Sequence, residues 1–116
     1  MAVNSGLLIG WTRPYVGREK TAQPKFEEYI GYLAKLQAEK KIESFEPVLC
    51  DPTGHDTLGG FFLVRGDQAR LAEIQRTEEW RDWLAFGTYN LDGFRIVGCA
   101  LGESIPDRMK RWQKQF

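Results

Sequence analysis

The feature that most limits how this chain can fold is the order in which its apolar periodicities alternate. A short run of period two gives way to a long run of period 3.6, then two more short runs, a second helical stretch and a last short run. Leu7 to Thr12 sets Leu7, Ile9 and Trp11 on one face against Leu8, Gly10 and Thr12 on the other, which predicts the first strand. Arg13-Pro14-Tyr15-Val16-Gly17 breaks it, since proline has no N–H to give an inner strand. From about Pro24 to Lys40, Phe26, Tyr29, Ile30, Leu33 and Leu36 recur at three- and four-residue steps and predict one helix with an apolar stripe. Pro24 suits an early helical position, with Thr21 or Gln23 placed to cap it. Glu27 and Glu28 near the start, and Lys40 and Lys41 at the end, complement its dipole.

Ile42 to Cys50 reads as a second strand, and Pro47 inside it argues for a sheet edge or a bulge. Residues 51–57 are a polar turn segment, followed by a third strand from Gly60 to Arg65. Asp67 is placed to cap a helix bearing Ala69, Leu71, Ala72 and Ile74, and Thr77 a further piece with Trp80, Trp83, Leu84 and Phe86. Asp92-Gly93 predicts a turn, Phe94 to Leu101 the last strand, and Pro106 to Gln115 a short terminal helix. Strand, helix, strand, strand, helix, strand is the order of a ferredoxin-like α+β sandwich. The expectation is one domain over residues 1–116, with four antiparallel strands in the order 4-1-3-2 and both long helices on one face.

The strands carry a second message. Phe61 and Leu63 alternate with Phe62 and Val64, and Phe94 and Ile96 with Val97 and Cys99, so both faces are largely apolar. Two helices cover one face of a four-stranded sheet, which leaves the other to be covered by something else. The simplest cover is a second copy, because an open apolar patch of several hundred Å² is rare on a soluble monomer. A homodimer packed sheet to sheet is the physical expectation.

Composition excludes some functions. Sixteen basic and sixteen acidic residues cancel, so the chain has no general attraction for a phosphate backbone, and nucleic acid is not an expected partner. Runs such as Leu7-Leu8-Ile9 and Phe61-Phe62-Leu63-Val64 are far too short to span a bilayer, and no basic region precedes an extended apolar one near the start. A cytoplasmic protein with no membrane association is expected, with Cys50 and Cys99 as reduced thiols on strands at opposite sheet edges. Neither a metal site nor a cofactor is expected: there is no CxxC, Gly-x-Gly-x-x-Gly or P-loop.

In element order, two-faced strands and the passage from Ile42-Glu43-Ser44-Phe45-Glu46-Pro47 to Phe61-Phe62-Leu63-Val64-Arg65-Gly66, the chain resembles the dimeric α+β barrel superfamily. That group includes YCII-related proteins, antibiotic biosynthesis monooxygenases and muconolactone isomerases. The resemblance covers nearly the whole chain and implies the fold and the dimer. It does not extend to chemistry. The His–Asp pair associated with the YCII-related branch has no counterpart here, because no histidine lies near the first strand and helix.

Three clusters compete as sites. His55 with Asp51 and Asp56 joins an imidazole to two carboxylates, but among Pro, Gly and Thr these are ordinary turn residues. Trp11, Arg13, Tyr15, Arg18 and Glu19 follow the end of the first strand, where Arg13 suits a two-pronged contact to a carboxylate and the rings of Trp11 and Tyr15 suit a flat ligand. Trp80 and Trp83, with Phe86 and Tyr89, have the spacing of a core stripe and offer at most one wall of a pocket. The second cluster, walled by Trp80 or Trp83, is the expected ligand site. The expectation is a homodimer that binds a small aromatic or acidic organic molecule between sheet and helices. The competing readings are a cofactor-independent oxygenase, isomerase or decarboxylase acting on an aromatic substrate, and a structural dimer without ligand.

Overall fold

The computed structural model describes residues 4–51 and 58–116. It contains β1 (Ser5–Trp11), β2 (Arg13–Pro14), α1 (Glu19–Ala38), β3 (Ser44–Leu49), β4 (Gly60–Gly66), α2 (Gln68–Ile74), α3 (Glu78–Asn90), β5 (Leu91–Asp92), β6 (Arg95–Ala100) and α4 (Ser104–Gln113). The chain is a mixed α+β structure around a four-stranded antiparallel sheet in the order β3-β4-β1-β6. β3, the strand holding Pro47, lies at an edge. An edge strand has one side of its backbone free of ladder bonds, so a missing N–H costs it little.

Leu7, Ile9 and Trp11 of β1 share the inner face with Phe62 and Val64 of β4, and all five are buried. Tyr29, Tyr32, Leu33 and Leu36 of α1, Leu71 and Ile74 of α2, and Trp80 of α3 close over that face to form one core. Period two on the strands and period 3.6 on the helices meet there, as the pattern requires.

Several boundaries differ from the sequence expectation. β1 ends at Trp11, and Arg13–Pro14 forms a separate two-stranded ribbon with Leu91–Asp92, so the proline break becomes a change of sheet. α1 starts at Glu19, with Pro24 inside it, and neither Thr21 nor Gln23 is its cap. The Arg18 carbonyl instead accepts from Thr21 N at 3.1 Å and Ala22 N at 2.9 Å, which closes the first turn without a side-chain cap. Pro24 withholds a donor from the Lys20 carbonyl alone, and both residues lie on an exposed turn, where the lost bond costs least.

Glu27 and Glu28 fall in the middle of α1 and Lys40 and Lys41 beyond its end, so its dipole meets Glu19 and Lys35 instead. α4 opens at Ser104 rather than at Pro106, but the two cap signals hold. Asp67 accepts from Arg70 N at 3.2 Å at the start of α2, and Thr77 accepts from Trp80 N at 3.3 Å at the start of α3. α1 ends in a Schellman turn, with Lys41 N on the Leu36 carbonyl, Lys40 N on the Gln37 carbonyl, and Lys40 at φ 60°.

The outer face of the sheet carries no helix-borne core. Register sets Leu8 beside Leu63 and Val97, Leu63 beside Glu46, and Phe61 beside Val48 on that side. Leu8, Val48, Phe61 and Leu63 are half-buried and Val97 is 47% exposed. Gly6 and Gly10 leave two notches in this face. Leu101 fills one and Leu58 the other, so closely that an added Cβ would lie 2.8 Å and 2.9 Å from their methyl groups.

Candidate functional site

The densest chemistry lies between the inner sheet face and the helices, where ring follows ring from the end of β1 to α3. Trp11 meets Phe26 edge-on at 5.8 Å and Phe62 at 5.4 Å, and Phe26 stacks on Phe62 at 5.3 Å. Tyr29 packs on Phe62 at 5.0 Å and stacks on Trp83 at 4.5 Å; Tyr32 lies against Trp83 and Trp80 at 6.1 Å and 6.5 Å. Phe86 closes the row edge-on to Trp83 at 5.6 Å. The layer exists because α1 turns Phe26, Tyr29, Tyr32 and Leu33 toward one side while α3 returns Trp80, Trp83 and Phe86 to meet it. It reaches solvent at the half-buried Phe26, Trp83 and Phe86. There Lys25 Nζ stands 6.0 Å from the centre of the Trp83 ring and 3.3 Å from the Glu28 carboxylate.

Two phenol oxygens inside this apolar layer are unsatisfied. Tyr29 is 2% exposed and Tyr32 5%, yet neither Oη has a hydrogen-bond partner. A buried hydroxyl is normally bonded, and one left alone costs about 1–3 kcal/mol. Burial pushes the Tyr29 phenol well above its usual pKa, with the neighbouring Tyr32 adding to the rise. Tyr32 is pushed up to about 12, mainly by burial and further by the Glu79 carboxylate. The Thr77 hydroxyl offsets part of that rise, but it already donates to the Ile74 carbonyl and accepts from Trp80 N, and forms no hydrogen bond of good geometry with Tyr32. Both phenols are therefore protonated donors near neutral pH.

The residues singled out in the sequence divide between this layer and the surface beside it. Trp11, Trp80 and Trp83 are in the layer, with Trp80 3% exposed and Trp11 7%. Arg13 lies outside on the small ribbon, its Nε 3.9 Å from Asp92, with both side chains well exposed. Tyr15 is exposed, and its backbone N–H donates to the Asn90 carbonyl. Glu19 turns back to accept from Gly17 N at 3.0 Å. Among the described residues no hydrogen bond or ion pair joins Arg13, Tyr15 and Glu19 to one another. Asp51 is exposed, while its proposed partners His55 and Asp56 lie outside the described residues.

Tyr29 entered the sequence analysis as one apolar position among five, and Tyr32 did not enter it. Their signal was available: two tyrosines three residues apart on an otherwise nonpolar stripe bring two hydroxyls to a buried face.

A hollow of about 210 Å³ lies at the far end of the sheet, lined by Ser5, Gln68, Ala100, Ser104, Asp107, Arg108 and Arg111. Arg65 and Arg95 stand on the outer sheet face, where Arg95 Nη1 donates to the Gly93 carbonyl at 3.0 Å. Among the described residues no helix is long and apolar enough to cross a membrane, and no group of three His, Cys, Asp or Glu side chains is placed to hold a metal ion. Comparison with known proteins returns no matching family, no similar curated protein and no similar solved structure.

Proposed function

We propose that this chain acts as a homodimer of the ferredoxin-like, dimeric α+β barrel type, each copy binding a small aromatic organic molecule between its sheet and helices. The observation that carries the ligand reading is the pair of buried, unpartnered phenols in the aromatic layer. Each buried phenol has a hydroxyl proton to donate and no partner for it, so the complementary ligand offers oxygen acceptors, a carboxylate or a carbonyl, on a flat ring. The surrounding rings supply stacking surface, and Lys25 at the rim favours an acidic ligand. Arg13, held by an exposed and hence weak pair to Asp92, is free to exchange that partner for a ligand carboxylate at the Trp11 end of the layer. The dimer is supported by the strand order and by the outer face, where Leu8, Phe61, Leu63 and Val97 sit without a helix.

A panel of aromatic carboxylates and phenols, read by thermal shift and tryptophan emission, tests the ligand reading. At least one member should raise the melting temperature and perturb the Trp83 fluorescence. Its affinity should fall about tenfold or more in Tyr29→Phe, the scale of one lost hydrogen bond to a charged group. Binding that survives unchanged in Tyr29→Phe and Tyr32→Phe would place the ligand elsewhere.

A further inference from the structure

α4 is an amphipathic helix whose apolar side is left largely exposed. Ile105, Met109, Trp112 and Phe116 are 45%, 51%, 60% and 105% exposed, and none of the residues of α4 is buried. Ile105, Met109 and Trp112, at spacings of four and three, fall on a single narrow stripe of the helix, the seam by which a helix packs on another protein element, and Phe116 follows three residues beyond its end. The opposite side faces home: Ser104, Asp107, Arg108 and Arg111 share the hollow with Ser5, Gln68 and Ala100, and Ser104 Oγ donates to the Asn4 carbonyl at 2.6 Å. The radius of gyration is 15.4 Å, against about 13 Å for a compact domain of this length, consistent with an outlying element.

We infer that α4 and the residues that follow it form an arm that clasps a second copy of this chain, with Ile105, Met109, Trp112 and Phe116 extending the contact begun by the outer sheet face. The inference rests on the dimer reading above and adds the element that completes it. Four strands of six or seven residues present a face of roughly 400 Å² in projection. That is about half of what a stable interface removes on each partner. A stripe roughly 11 Å long on a helix beside the sheet, with Phe116 beyond its end, is the kind of addition that shortfall needs. The two are close in the chain: Leu101, which covers Gly6 on the outer face, lies three residues before α4. Charge fits as well. Glu46 on β3 and Arg95 on β6 mark opposite edges of the outer face, and a two-fold axis running along the strands brings each toward the other. A membrane surface fits less well, since a helix lying on lipid needs its cations beside the apolar stripe. Here Arg108 alone flanks the stripe, and it also lines the chain's own hollow with Arg111, while Lys110 lies across the helix.

The test is sedimentation equilibrium of the full chain and its Met109→Glu and Trp112→Glu variants, with circular dichroism to confirm folding and flotation with phosphatidylcholine–phosphatidylserine vesicles alongside. Since α4 buries nothing of its own protomer's core, both variants should fold. The expected result is a dimer in the parent chain, a dissociation constant raised at least tenfold in each variant, and no vesicle binding. A parent dimer whose dissociation constant stays within twofold in both variants overturns the arm while leaving the sheet-face dimer standing. A parent chain that is monomeric overturns both. Vesicle binding lost in Trp112→Glu, with dimerisation unaffected, would assign the stripe to lipid.

Discussion

The Tyr29 hydroxyl sits among rings with no partner, which makes it the position where a one-atom change is most informative. Removing it from the ligand-free protein removes an unsatisfied polar group, so Tyr29→Phe should stabilise by about 1 kcal/mol in urea denaturation. A loss of similar size would mean that the hydroxyl is bonded within the folded chain. Alkaline pH tests the same pair. In the unfolded chain the phenols ionise near pH 10; in the folded protein Tyr32 holds its proton to about 12 and Tyr29 beyond that. The folded state thus retains protons that the unfolded state releases. This contribution to stability is complete below pH 10 and declines as pH rises toward 12. Urea midpoints measured from pH 8 to 11.5 should be flat at first and then fall, and Tyr29→Phe should flatten the fall. Sequence revealed the rings but not this feature, because whether a hydroxyl finds a partner depends on which helix arrives above it.

At the scale of single elements, local chemistry set the ends of some helices and long-range packing set others. Asp67 and Thr77 cap α2 and α3 where their side chains predicted, each capturing an N–H three residues on. The start of α1 escaped prediction because it uses a backbone carbonyl rather than a side chain, and a proline is tolerated inside its exposed opening turns. Its other end holds a lysine in a conformation that favours glycine. Lys40 sits at φ 60°, and its carbonyl accepts from Arg70 Nη1 at 2.8 Å, a bond that does not depend on the lysine side chain. Lys40→Gly should therefore raise stability by about 1 kcal/mol, measurable as a higher melting temperature. A decrease would show that the Lys40 side chain does more than the backbone geometry indicates. The edge position of β3 was legible from Pro47, whereas the β2–β5 ribbon was not, since two-residue strands leave no periodicity to read.

For the whole molecule, the alternation of Leu8 with Ile9, and of Phe61 and Leu63 with Phe62 and Val64, is the property from which most else follows. One set is sealed beneath α1, α2 and α3; the other faces outward in a single copy. The site was less legible than the fold. Arg13, Tyr15 and Glu19 are neighbours in sequence, but each is held by a different partner: Asp92, Asn90 and Gly17. Trp11, Trp80 and Trp83 are joined instead through Phe62, Tyr29 and Tyr32, contacts that no local spacing encodes. The central claim is that the outward set is buried against a second copy, and Leu63, in the middle of that face, is the residue to charge. Sedimentation equilibrium at micromolar concentration should give twice the chain mass for the parent and the chain mass for a folded Leu63→Glu variant. A parent protein that sediments as a stable monomer, with this face open to water, would contradict the account.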